Sequence, residues 1–179
     1  MATPLILALG GTRSGKSRFG LATTKGLAGD SRAWFLGTAR AGDPELDDRI
    51  RRHRLERPDG WPTVDVGDNL AVAISRTEPD EPVLIDGLTL WLATLLGDGT
   101  PDIDPILDGP VAAAYEAIAG RPGAVVVVSD EVGLGIVPMH PNARAYRDLV
   151  GIAHQRLAAM ADEAYLFVAG LPVRLKGQP

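Results

Sequence analysis

The chain contains no cysteine, so it can build neither a disulfide framework nor a thiolate zinc site, which fits a reducing compartment. Lysine is scarce, with Lys16, Lys25 and Lys176 the whole supply. No apolar run approaches the roughly 20 residues of a membrane span, and the first residues show no charged and apolar leader. The expectation is a cytoplasmic protein without a membrane span. Positive charge is also short: the formal net charge is −5, which argues against nucleic acid or an anionic membrane as partner, since both reward basic patches. The local exception is the cluster Arg49, Arg51, Arg52, Arg54 and Arg57. There is no internal repeat and no low-complexity tract. At 179 residues and 45% hydrophobic composition, one domain spanning 1–179 with a sizeable core is expected.

What is present is concentrated near the start. Gly10-Gly11-Thr12-Arg13-Ser14-Gly15-Lys16-Ser17 reads G-x-x-x-x-G-K-S, preceded by the apolar run Leu5–Leu9 and followed by a helix-compatible run from Ser17 to Leu27. This is the pattern of a phosphate-binding loop. Glycines let backbone N–H groups turn inward around phosphate oxygens, and the helix that follows offers its positive end to the same anion. In this pattern Lys16 reaches the β- and γ-phosphates and the Ser17 hydroxyl ligates Mg²⁺. A glycine-rich strand-to-helix turn that binds nothing is the competing reading, and the scarcity of lysine elsewhere weighs against it.

Further along, Ala33–Thr38, Thr63–Val66, Val83–Asp86, Ala124–Val128, Ala164–Ala169 and Val173–Leu175 read as strands, with Thr63–Val66 placed at an edge. Helices are expected from about Asp43 to Leu55, Asn69 to Arg76, Leu88 to Leu96, Val111 to Ala119 and Ala143 to Ala161. The Gly-, Pro- and Asp-rich stretch Gly97–Pro110 reads as an exposed loop, and a second loop opens at Ser129. Strands that are continuous apolar runs and alternate with helices imply an α/β fold, a mostly parallel sheet covered by helices on both faces.

A phosphate loop alone is shared by kinases, switches and motors. Asp86 ends an apolar strand, the place where a parallel sheet presents ligands, so it suits a metal-holding role; it equally suits the N-cap of the helix that follows. His53 sits among the arginines, where a neutral imidazole is a competent nucleophile near pH 7 beside bound phosphate; it equally suits a solvated helix face. His140 reads as a loop residue and His154 as a packing residue of a long helix, so three scattered histidines make no metal site.

Taken together the motifs resemble the adenosylcobinamide kinase/adenosylcobinamide-phosphate guanylyltransferase family of cobalamin nucleotide-loop assembly. Gly10–Ser17 is similar to its GG-x-RSGKS loop. Arg49-Ile50, His53-Arg54, Arg57-Pro58 and Trp61 are similar to its RI-x-x-HR-x-x-RP-x-x-W segment, and Leu88–Leu92 to its LTLWL. Glu131-Val132-Gly133, Gly135–Pro138, Arg144, Arg147-Asp148, Gly151, Gln155, Ala161–Glu163 and Gly170–Pro172 resemble its C-terminal pattern. The sequence departs from the family at Asp130, where Asn is common, at Gly87, often Cys, and at His154, usually Asn.

The resemblance implies two reactions. ATP or GTP, with Mg²⁺, phosphorylates the aminopropanol hydroxyl of adenosylcobinamide. His53 then takes GMP from GTP as a phosphoramidate and passes it to adenosylcobinamide phosphate, giving adenosylcobinamide-GDP. It further implies nucleotide contacts at Thr38, Ala39 and Arg40, at Arg54, Leu55, Glu56 and Arg57, and at Asp65 and Asp86, together with a homotrimer whose sheet carries an added antiparallel strand. Either carboxylate, Asp65 or Asp86, suits the two donors on guanine's Watson–Crick edge. Two alternatives remain at this point: a monofunctional small-molecule kinase in which His53 has no role, and a nucleotide-gated binding module, against which stands the lack of an N-K-x-D stretch.

Overall fold

Apolar runs with no polar face must be covered on both sides, and Leu5–Gly10 (β1) is such a strand, buried at all six positions. The computed structural model describes residues 4–39, 58, 60–97 and 102–177. After β1 come α1 (Lys16–Ala28), β2 (Trp34–Gly37), β3 (Thr63–Asp65), α2 (Leu70–Ser75), β4 (Val83–Asp86) and α3 (Leu88–Leu96). Then follow α4 (Asp104–Ile106), a π-helical segment (Leu107–Val111), α5 (Ala112–Ala119), β5 (Val125–Asp130), α6 (Pro141–Met160), β6 (Glu163–Val168) and β7 (Leu171–Lys176).

Among the described residues seven strands form one sheet in the order β3-β2-β4-β5-β1-β6-β7. All pairings are parallel except β6 with β7, which is antiparallel. The expected edge position of β3 is observed. Because side chains alternate along a strand, Leu5, Leu7 and Leu9 of β1 enter one core layer with residues of α2, α3, α5 and α6. Ile6 and Ala8 enter the other, beneath Phe19 and Leu21 of α1. The sheet is thus covered on both faces. Helix α1 lies close to it at Gly20, where a Cβ would stand 2.6 Å from Val128 Cγ2 and 3.1 Å from Leu84 Cδ1. Trp91 of α3 is fully buried, and its indole N–H donates to the Asp68 carbonyl at 3.1 Å, so burial leaves no orphan donor.

Two expectations are corrected. The stretch 97–110 is not an exposed loop throughout: residues from Asp104 onward are helical, and Leu107 and Val111 are fully buried. Ile103, Ile106, Leu107 and Val111 recur at helical spacing and pack on the core. Pro110 has no N–H to donate, and the local π spacing accommodates it. Strand β5 also runs past Val128 to Asp130, because its register with β1 continues to Gly10↔Asp130. Ser129 and Asp130 therefore belong to the sheet rather than to the loop after it. The helix expected from about Asp43 to Leu55 lies outside the described residues.

Candidate functional site

The carboxyl ends of β1, β5 and β4 are neighbours, and everything the phosphate-loop reading needs converges there. Between Gly10 and Lys16 the chain folds back on itself: Ser14 N donates to the Gly11 carbonyl at 3.3 Å, and Phe19 N to that of Gly15 at 3.1 Å. Arg13 and Gly15 take positive φ, 56° and 98°, so the N-cap of α1 is left-handed, a conformation glycine adopts without strain. The turn between β6 and β7 abuts the loop from outside, with Gly170 N donating to the Ser14 carbonyl at 3.1 Å. Gly10 has no room for a side chain, since a Cβ would stand 2.6 Å from Ser14 Oγ and 2.8 Å from the Phe167 carbonyl oxygen. Ser14 Oγ is buried without a hydrogen-bond partner among the described residues. A phosphate oxygen seated in the loop would satisfy it, so the cradle fits a nucleotide.

Lys16 opens α1 and is almost fully buried. Its ammonium donates to the Gly11 carbonyl at 3.1 Å and lies 2.5 Å from Asp130 Oδ1. The next side chain, Ser17, donates its hydroxyl to Asp86 Oδ1 at 3.2 Å. The carboxylate of Asp86 therefore faces the phosphate loop, and the N-cap of α3 is Gly87, not Asp86. A hydroxyl and a carboxylate are hard oxygen donors that suit Mg²⁺, an ion that takes one or two protein carboxylates and leaves the rest of its shell to phosphates and water. Among the described residues no cluster of three or more His, Asp or Glu could hold a metal on its own.

Thr38 is buried, and its hydroxyl lies 2.7 Å from the Gly87 carbonyl oxygen and 3.0 Å from that of Asp86. It fixes the turn on which Asp86 stands. Gly87 itself has φ 97°, and a Cβ there would stand 2.8 Å from Thr38 Oγ1. Asp65 ends β3, opposite Gly37 in register, and is exposed. Four strand spacings separate it from β1, about 19 Å, so Asp65 and Lys16 do not meet the same phosphate. Ala39 lies at the edge of the described residues. His53, Arg40, Arg54, Leu55, Glu56 and Arg57 lie outside them.

Two residues of the site stand out in the sequence only as departures from the family, Asp130 and His154, and burial of His154 in α6 bears out its reading as a packing residue. Asp130 holds Lys16, and Thr89 Oγ1 donates to its other oxygen at 3.3 Å; its place at the carboxyl end of an apolar strand is the same signal that marks Asp86. Behind it, His154 Nε2 lies 2.7 Å from Ser129 Oγ, and its Nδ1 is 3.8 Å from Glu131 Oε2. Burial lowers the His154 pKa, opposed by the negative charge of Glu131 and Asp130. The loop after β5 is tied down rather than loose. Glu131 Oε1 accepts from Gly133 N, Arg147 donates to the carbonyls of Gly133, Gly135 and Ile136, and Arg144 to those of Pro138 and Met139.

Comparison with known proteins decides among the readings that a phosphate loop leaves open. The family model described as cobinamide kinase / cobinamide phosphate guanyltransferase matches residues 6–175. The chain belongs to that family. A relative in Pseudomonas aeruginosa, named bifunctional adenosylcobalamin biosynthesis protein CobP, is 42% identical over 176 residues, covering 97% of this chain and 98% of its own. The Escherichia coli protein named bifunctional adenosylcobalamin biosynthesis protein CobU is 37% identical, covering 96% and 99%. Among solved structures, the flagellar accessory protein FlaH from Methanocaldococcus jannaschii superposes with a TM-score of 0.54 at 13% identity, over 98% of this chain and 79% of that one. A second solved structure, an ATPase domain, gives 0.51 at 14%, over 92% and 69%. These two share the fold alone.

Proposed function

We propose that this family member carries out both reactions of its family's description on one nucleotide-binding edge, phosphorylating adenosylcobinamide and then transferring GMP to the phosphate it has made. The observation that carries this reading is the pairing of Lys16 with the loop and of Ser17 with Asp86 at the carboxyl ends of β1 and β4, which flank β5, within a family match spanning residues 6–175. In the kinase reaction the acceptor hydroxyl oxygen forms a bond to the γ-phosphorus and loses its proton to water, the bond from that phosphorus to the bridging oxygen breaks, and the nucleoside diphosphate leaves. Lys16 and the N–H groups of the loop face the oxygens on which charge accumulates. Mg²⁺, held by Ser17 and Asp86, would supply charge neutralisation of the phosphates.

In the second reaction His53 attacks the α-phosphorus of GTP, pyrophosphate leaves, and GMP is held through a P–N bond. That bond is broken by a phosphate oxygen of adenosylcobinamide phosphate, with protonation of the imidazole making it a good leaving group. The arginines at 54 and 57 hold phosphates, and the residues Thr38–Arg40, Arg54–Arg57, Asp65 and Asp86 contact nucleotide. Asp65, far from the phosphate loop along the sheet edge, is the better placed of the two carboxylates to meet a guanine base, because Asp86 is engaged by Ser17.

Product analysis by mass spectrometry with adenosylcobinamide, ATP, GTP and Mg²⁺ tests the reading: both the phosphate and the GDP derivative form. Lys16→Ala cuts the first step about 10²- to 10³-fold, the scale for losing one preorganised donor to a transition-state oxyanion. An unchanged rate in that variant would contradict the role of Lys16.

The protein is further proposed to act as a homotrimer. Strand β7 ends the sheet with all six residues exposed, and Leu171, Val173 and Leu175 alternate along it. A second apolar surface lies in the loop after β5, where Leu134, Ile136, Val137 and Met139 are exposed. Exposed apolar patches of this kind mark association sites.

A further inference from the structure

The described site contains a carboxylate that the reactions above do not use. Asp86 faces Ser17, and Glu131 accepts from Gly133 N. Asp130 instead sits 2.5 Å from the ammonium of Lys16, the group that must meet the phosphates.

We propose that Asp130 is a positioning residue for Lys16, aligning the ammonium for phosphoryl transfer while weakening the binding of the nucleotide before transfer. The proposal rests on the kinase reading above. A lysine ammonium has three N–H donors. One is taken by the Gly11 carbonyl of the phosphate loop, while the Asp130 carboxylate draws the ammonium from a different element, β5, as an ion partner at 2.5 Å. Held between one hydrogen bond and one ion partner, the ammonium keeps its place at the mouth of the loop.

Asp130 is itself held in place. Its backbone lies opposite Gly10 in the β1–β5 register, and its second carboxylate oxygen accepts from Thr89 Oγ1 of α3. The Thr89 carbonyl in turn accepts from the Tyr146 hydroxyl of α6 at 3.0 Å. The lysine is thereby referenced to α3 and α6, which pack on the sheet face opposite α1.

The electrostatic consequence has the opposite sign. A carboxylate beside Lys16 cancels much of the positive charge that an incoming triphosphate would meet, and it repels the phosphate oxygens directly. Removing that charge while keeping the shape therefore strengthens nucleotide binding. The same change loosens the ammonium, which must be aligned when charge moves during transfer, so turnover falls. A change of affinity and turnover in opposite directions is a signature that a purely structural residue does not give.

Asp130→Asn and Asp130→Ser test the proposal. Affinity is read by equilibrium titration with a nonhydrolysable ATP or GTP analogue and Mg²⁺, kinase kcat by single-turnover phosphorylation of adenosylcobinamide, and folding by the thermal midpoint. Expected are an analogue Kd about three- to tenfold lower and a kcat about tenfold lower or more, with a midpoint close to the wild type. An analogue Kd equal to or weaker than the wild type in a folded variant overturns the proposal, as does unchanged kcat. If Asp130→Asn fails to fold, Asp130→Ser decides by the same criteria. The wild type runs in the same assay: lack of turnover there would strike the kinase reading, whereas the affinity comparison bears on Asp130 alone.

Discussion

His154 shows how one side chain couples the site to pH. Its ring is buried between α6 and β5, bonded to Ser129, and burial holds its pKa below the ordinary 6.5. The folded protein therefore keeps this imidazole neutral at a pH where the unfolded chain already binds a proton. Stability rises with pH across that window, so it is lost as pH falls from about 6.5 through the lowered folded value. Thermal midpoints at pH 7.5 and 5.5 should drop more for the wild type than for His154→Asn, which removes the titrating group. An equal drop in both would contradict the assignment. At this scale the sequence is informative where chemistry is local. Gly10–Ser17 carries its meaning in eight consecutive residues. Asp86 is legible as a site residue through its place at the end of an apolar strand, although whether it caps a helix or faces the loop depends on Ser17, 69 residues away. Asp130 carries the same strand-end signal, but its partner Lys16 is set by sheet order, which inserts β5 between β1 and β4.

Among the elements, α1 is constrained by its closeness to the sheet. Alanine is favoured over glycine within a helix by about 1 kcal/mol, so Gly20→Ala would stabilise an exposed helix. Here the added Cβ meets Val128 Cγ2 at 2.6 Å, and overpacking of this kind costs about 1–3 kcal/mol. The net expectation is destabilisation, read as a lower midpoint in urea or heat; a higher midpoint would show that α1 rides further from the sheet. The strands are mostly legible because continuous apolar runs have few alternatives. Residues 104–110 mislead because Gly and Pro weigh toward a loop, while the apolar spacing Ile103, Ile106, Leu107 and Val111 wins once a core is present to bury it. The antiparallel direction of β7 depends on the two-residue turn at Ala169-Gly170, both at positive φ, which sends the chain back beside β6.

For the whole molecule, the exposed apolar faces on β7 and on the loop after β5 bear on assembly. If β7 carries the proposed trimer contact, replacing Leu171 and Val173 together with aspartate shifts native mass toward monomer, with little effect on the isolated fold because both side chains are already exposed. Unchanged mass would contradict β7 as an association surface. Assembly is not legible in composition, since the apolar residues of an edge strand read like those of a buried one until the sheet order is known. The central claim concerns the two reactions and is tested most directly by intact-protein mass after incubation with GTP and Mg²⁺, for the wild type and His53→Ala. The account predicts a GMP adduct on the wild type alone, labile in acid and stable in alkali, as a phosphoramidate is. No adduct on a wild-type protein that binds GTP, or an equal adduct on His53→Ala, would contradict it.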